Sequence, residues 1–148
     1  MEESLSNGLF DPKSIDVRTY SPLTLAFMGD AVFELMVRTL VVTESNTAPE
    51  KLHRRTTRLV KAEAQAIMGH GLWEELSPEE QSVYRRGRNA QSYTHAKNAT
   101  VSDYRHATGL EALFGYLYLT GQQGRMQELM KRCVEILEAA ESAKSDQK

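Results

Sequence analysis

Apolar residues recur at helical spacing along most of this chain, and no stretch shows the strict alternation of a half-buried strand. From Leu23 to Val42 the chain is apolar nearly all round, with polar interruptions that include Thr24, Asp30, Glu34 and Arg38. Ser21-Pro22 opens this segment, because serine caps a helix N-terminus and proline tolerates the first turn. A helix this apolar is expected to lie buried at the centre of the domain. A carboxylate inside it is costly unless paired, protonated or bound to a metal. Thr47-Ala48-Pro49-Glu50 fits a capping box and predicts a second helix to about Met68, with Gly69 and Gly71 as stop signals. Ser77-Pro78-Glu79-Glu80 has the same pattern and opens a short helix to about Arg86. Residues 87–102 are polar and read as a loop of functional length. A helix follows from about Asp103 to Leu119, stopped by Gly121. The last runs from about Gly124 to Ala140, with Met126, Leu129, Met130, Cys133, Ile136 and Leu137 at helical spacing. The pattern predicts an all-α bundle of about five or six helices over residues 17–141. A loose arm is expected over 1–16 and a frayed tail over 142–148.

A chain of 148 residues suits one domain with one core. No window approaches a membrane span. The N-terminal stretch lacks a secretory signal, and a lone Cys133 forms no intrachain disulfide. The cytoplasm is therefore the expected compartment, with no membrane partner. The net charge of -2 argues against a polyanion partner, but the distribution does not. Residues 51–106 carry a net +4 and the remainder −6, a basic middle compatible with a phosphate-binding face.

Two places set a carboxylate among small and apolar residues. One is Gly29-Asp30-Ala31, the other Gly109-Leu110-Glu111-Ala112, with Gly115 a turn further on. Small neighbours let two helices approach, which would bring Asp30 and Glu111 within range of one cation. Hard cations such as Mg²⁺ accept one or two carboxylates, with waters and substrate phosphate completing the shell. Such a cation polarises a phosphodiester oxygen and activates water. Against this stands the plain alternative of two exposed or salt-bridged acids, which spacing alone does not exclude. His53, His70, His95 and His106 lack zinc-ligand spacing, and neither a catalytic triad nor a glycine-rich phosphate loop is present.

The segment from Leu25 to Leu35, LAFMGDAVFEL, resembles the signature helix of ribonuclease III domains, and LEALFGYLYL from Leu110 to Leu119 resembles their second acidic helix. RRGRNA from Arg85 to Ala90, with Ala96-Lys97-Asn98-Ala99, is similar to the mini-ribonuclease III branch. The resemblance covers about residues 20–138. It implies the helical endonuclease domain without a double-stranded-RNA-binding domain, acting as a symmetric homodimer on double-stranded RNA. Each subunit would cut one strand, leaving a short 3′ overhang and a 5′ phosphate. The implied substrate is the precursor of large-subunit (23S) ribosomal RNA. Asp30 and Glu111 match the family's acidic positions and would be the catalytic residues and metal ligands, with Mg²⁺ the expected metal and Mn²⁺ chemically suitable. Leu23, Ala26 and Thr108 stand where larger family members carry further acids, leaving coordination positions to water or RNA phosphates.

Arg85, Arg86, Arg88, Asn89, Lys97 and Asn98 are the candidate RNA contacts, since arginine forks suit phosphate and asparagine reaches sugar hydroxyls or base edges. Lys51, Arg54, Arg55 and Arg58 share a helix face that suits phosphate or solvent equally. Phe27 and Met28 are the candidate dimer contacts. Glu34, one turn beyond Asp30, suits either orienting a ligand or pairing with Arg38, with the structural role favoured; Asp103 is expected to favour the first turn of its helix, and Trp73, Tyr84, Tyr93 and Tyr104 to pack rather than stack on bases. Two competing readings are a non-catalytic double-stranded-RNA-binding protein of the same fold and a helical interaction module without nucleic acid. Both central acids are present, which disfavours the first; steep salt dependence of RNA binding would exclude the second.

Overall fold

The structure, a computed structural model, describes residues 14–90 and 100–146. The expected arm lies largely outside the described residues, as do Tyr93, Lys97 and Asn98. After a 3-10 turn at Val17–Thr19 come six α-helices: α1 (Pro22–Glu44), α2 (Pro49–Val60), α3 (Ala62–Leu72), α4 (Pro78–Asn89), α5 (Val101–Leu119) and α6 (Gln123–Asp146). A second 3-10 turn, Trp73–Glu75, joins α3 to α4. No strand occurs among the described residues, as the all-α pattern predicts. No helix among them is long and apolar enough to cross a membrane.

Helix starts follow local chemistry in most places. Ser21 accepts hydrogen bonds from the backbone N–H groups of Leu23 and Thr24, with Pro22 in the first turn. At α4 the reciprocal capping box is complete: the Glu80 N–H donates to Ser77 Oγ at 3.2 Å, and the Ser77 N–H donates to Glu80 Oε1 at 2.8 Å. The expected box at Thr47–Glu50 does not form. The N-cap of α2 is Ala48, which makes no side-chain cap, and Pro49 alone marks the start. The predicted second helix is in fact two, because the backbone at Lys61 is extended (φ -63, ψ 151), ending α2 and starting α3. Gly69 does not stop α3, which continues to Leu72.

The loop expected from residue 87 begins later. Helix α4 runs to Asn89, so Arg88 and Asn89 belong to its last turn, where cations suit the helix dipole. Thr100 caps α5, and Asp103 lies in its first turn. Gly121, at φ +72, terminates α5 in the left-handed conformation that glycine tolerates. Helix α6 passes the expected end at Ala140 and continues to Asp146.

The central helix is α5, not α1. Leu110, Ala112, Leu113, Phe114 and Leu117 are all fully buried, and α5 packs on α1, α3, α4 and α6. Phe33 meets Phe114 edge-on at 5.2 Å between ring centroids. Helix α1 buries Leu25, Val32, Phe33, Val37 and Val41 but exposes Leu23, Phe27, Leu35 and Val42. Its apolar character thus serves two faces, one of them open.

Candidate active site

Helices α1 and α5 cross where neither has a side chain in the way. A Cβ on Gly29 would overlap the carbonyl of Glu111, and one on Gly115 would overlap the carbonyl of Leu25. The small residues around each carboxylate therefore set backbone against backbone, and this contact brings Asp30 and Glu111 together. On the opposite flank α4 makes a similar approach: a Cβ on Gly87 would lie 2.7 Å from the Ala112 Cβ and 3.0 Å from the Gly109 Cα. The last turn of α4 is thereby fixed beside the acidic segment of α5.

The two acids have unlike surroundings. Asp30 is exposed and Glu111 partly buried, so the costly carboxylate is on α5 rather than on α1 as the pattern suggested. Burial pushes the Glu111 carboxyl up to about 8; the charge of Asp30 and a hydrogen bond with it act in the same direction, and a hydrogen bond from Gln65 opposes them. Among the described residues no group of three or more His, Cys, Asp or Glu is placed to hold a metal ion. The donor set is thus two carboxylates opening to solvent at Asp30, which fits a hard cation that retains much of its hydration shell.

Gln65 was not anticipated. It is 3% exposed in the first turn of α3, and its Nε2 donates to the Val60 carbonyl at 2.8 Å. That carbonyl is freed by the helix break at Lys61. The only sequence signal is a polar residue between Ala64 and Ala66, too weak to separate a buried amide from an exposed one.

Of the candidate RNA contacts, Arg85, Arg86 and Asn89 are exposed and Arg88 is half-buried. The Arg85 guanidinium lies 5.4 Å from the centroid of the Trp73 ring, a cation–π contact that holds it at the surface. Behind them Tyr84 is buried, its hydroxyl 2.7 Å from His106 Nδ1, and the His106 ring stacks on His70 at 4.0 Å. Burial and the nearby His70 depress the His106 pKa, while burial raises that of Tyr84. Glu34 pairs with Arg38 at 3.3 Å, as expected. Met28 packs partly against the main core, whereas Phe27 is 82% exposed. On α2, Lys51, Arg54 and Arg55 face solvent, and Arg58 pairs with Glu141 at 3.0 Å.

An all-helical bundle that presents a carboxylate pair from two crossing helices is the architecture expected of a ribonuclease III catalytic domain, and the family model described as "Ribonuclease III domain" matches residues 23–122. The chain is 45% identical to a Mini-ribonuclease 3 of Thermoanaerobacter over 93% of its own length and 99% of that protein's. It is 43% identical to a Mini-ribonuclease 3 of Clostridium tetani, over 83% and 82% respectively. A crystal structure of a Fusobacterium nucleatum protein superposes with a TM-score of 0.74 at 28% identity, covering 82% of this chain and 98% of that one. The chain therefore belongs to the ribonuclease III family, in its mini-ribonuclease III branch. It is an endoribonuclease of the ribonuclease III type, in a family that depends on divalent metal and acts on double-stranded RNA.

Proposed function

We propose that Asp30 and Glu111 are the catalytic carboxylates of this endoribonuclease and jointly hold a Mg²⁺ ion, with Mn²⁺ able to replace it. The observation that carries this reading is the juxtaposition of the two acids: the partly buried Glu111 carboxyl, pushed up to about 8, lies against Asp30 where α1 and α5 meet backbone to backbone. Asp30 and Glu111 would hold the cation with their two carboxylates, and their paired charges would favour a divalent ion. When bound, it supplies Lewis acidity at the scissile phosphodiester. The chain's own contribution is to fix the two carboxylates on rigid helices, so that they hold one geometry without loop reorganisation.

Arg85, Arg86, Arg88 and Asn89, toward the C-terminal end of α4, are assigned to the duplex backbone and its shallow groove, together with Lys97 and Asn98. Their support is position: the Gly87–Gly109 contact anchors that end beside Glu111. The working unit is assigned as a homodimer. Leu23, Phe27, Ala31 and Leu35 recur every four residues along one exposed line of α1, 41%, 82% and 66% exposed at Leu23, Phe27 and Leu35. A stripe of this kind calls for a cover, and a two-fold axis supplies it from the same stripe on a second copy. Phe27, three residues before Asp30, is the contact we favour over the half-buried Met28. The substrate is assigned as the duplex formed by precursor large-subunit (23S) ribosomal RNA, in the cytoplasm.

The test is cleavage of an end-labelled RNA duplex, including a ribosomal precursor stem, with Mg²⁺, with EDTA and by Asp30→Asn of verified fold. Cutting that needs Mg²⁺ and disappears in the variant is the expected result. Undiminished cutting by Asp30→Asn would remove the carboxylate pair from the mechanism.

A further inference from the structure

Gln65 holds a position that helix capping alone does not explain. Its amide nitrogen closes the break between α2 and α3 by donating to the Val60 carbonyl at 2.8 Å. The same side chain hydrogen-bonds to the Glu111 carboxyl. Its carbonyl oxygen Oε1 is fully buried and, among the described residues, has no hydrogen-bond partner. A buried amide oxygen left without a donor costs about 1–3 kcal/mol, and such a group in a folded protein calls for a reason. A cap for Val60 would be served as well by a geometry that leaves Oε1 in solvent. Here the whole amide is drawn inward beside Glu111, and Oε1 finds no donor among the described residues.

We propose that Gln65 is a positioning residue of the metal site: its amide nitrogen holds the Glu111 carboxylate against the α2–α3 break, and its carbonyl oxygen accepts a hydrogen bond from a water in the hydration shell of the bound cation. The proposal rests on the assignment of Asp30 and Glu111 as metal ligands. A cation held by only two protein carboxylates keeps several waters, and these are the donors that Oε1 lacks. Partners outside the inner coordination sphere orient the ligands, and their loss typically weakens metal binding about 10- to 100-fold.

The test counts Mn²⁺ bound to the metal-free protein by electron paramagnetic resonance, without RNA, for the wild type, Asp30→Asn, Gln65→Met and Gln65→Glu, with folding checked by circular dichroism. Gln65→Met is expected to weaken Mn²⁺ binding at least tenfold and to lower kcat for duplex cleavage with KM unchanged. Gln65→Glu places a third carboxylate beside the pair and is expected to tighten Mn²⁺ binding, an effect that a residue serving only the helix break cannot produce. If Gln65→Met fails to fold, Gln65→Glu decides alone. Wild-type Mn²⁺ affinity in the folded Gln65 variants, together with weakened binding in Asp30→Asn, would overturn the role of Gln65 and leave the carboxylate assignment standing. Absence of Mn²⁺ binding by the wild type would overturn both.

Discussion

Replacing Glu111 with glutamine should make the metal-free protein more stable at neutral pH while abolishing cleavage. The carboxyl has an ordinary value of 4.5 and is pushed up to about 8 in the fold, first by burial and then by Asp30. The unfolded chain releases this proton above pH 4.5, whereas the folded chain holds it until about pH 8. The preference for the folded state is thus fully present below 4.5 and is lost as pH rises through 8. At about 1.4 kcal/mol per pH unit, the interval from 4.5 to neutrality amounts to about 3 kcal/mol. Glutamine mimics the neutral carboxyl in shape and pays no such cost. In EDTA, urea denaturation of the wild type and Glu111→Gln from pH 5 to 8 should show a gap that widens steadily in favour of the variant. It should reach about 3 kcal/mol at pH 7, or about 10 °C in Tm for a chain of this size. Other titrating groups contribute to both proteins and cancel in the difference. Mg²⁺ should narrow the gap by stabilising only the protein that retains both carboxylates. Equal urea midpoints at pH 7 and pH 8 in EDTA would refute the reasoning, because they would mean that Glu111 is not confined beside Asp30.

Gly29→Ala forces a methyl group into the Glu111 carbonyl; we expect a loss of about 1–3 kcal/mol in chemical denaturation, and cleavage falling further than stability because the carboxylates separate. Arg125→Met strands Glu80, which is 5% exposed and accepts two hydrogen bonds of 2.9 Å from that guanidinium. The loss should be about 3 kcal/mol at neutral pH. Arg125 holds the Glu80 carboxyl below its ordinary value, so this stability is present at neutral pH and disappears as pH falls through the lowered value. Denaturation at pH 7 and at progressively lower pH should show the gap narrow as the medium becomes acidic. Phe27→Ser should shift the chain to half its mass in light scattering without lowering monomer helicity; an unchanged mass would place the dimer seam elsewhere.

Features carried by a few adjacent residues were legible in the sequence. The Ser21 and Ser77 caps, the stop at Gly121 and the periodicity of α6 are local matters of hydrogen bonding and backbone freedom, and the structure shows each of them. The two carboxylates amid small residues also pointed to a close crossing of their helices, since glycine and alanine are what such a contact requires. Other features depend on partners distant in the chain. The break at Lys61 has no Gly, Pro or Asn to mark it and is stabilised by Gln65, whose inward placement is set by packing against α5. That Glu111 rather than Asp30 is the buried acid follows from α5 occupying the centre of the bundle. Composition did not indicate this, because α1 is the more evenly apolar of the two and part of its apolar surface faces outward. Glu80 illustrates the division within a single residue: its capping bond to Ser77 is written in four consecutive residues, whereas its clamp on Arg125, 45 positions away, exists only once the first turn of α6 has been brought beside the start of α4.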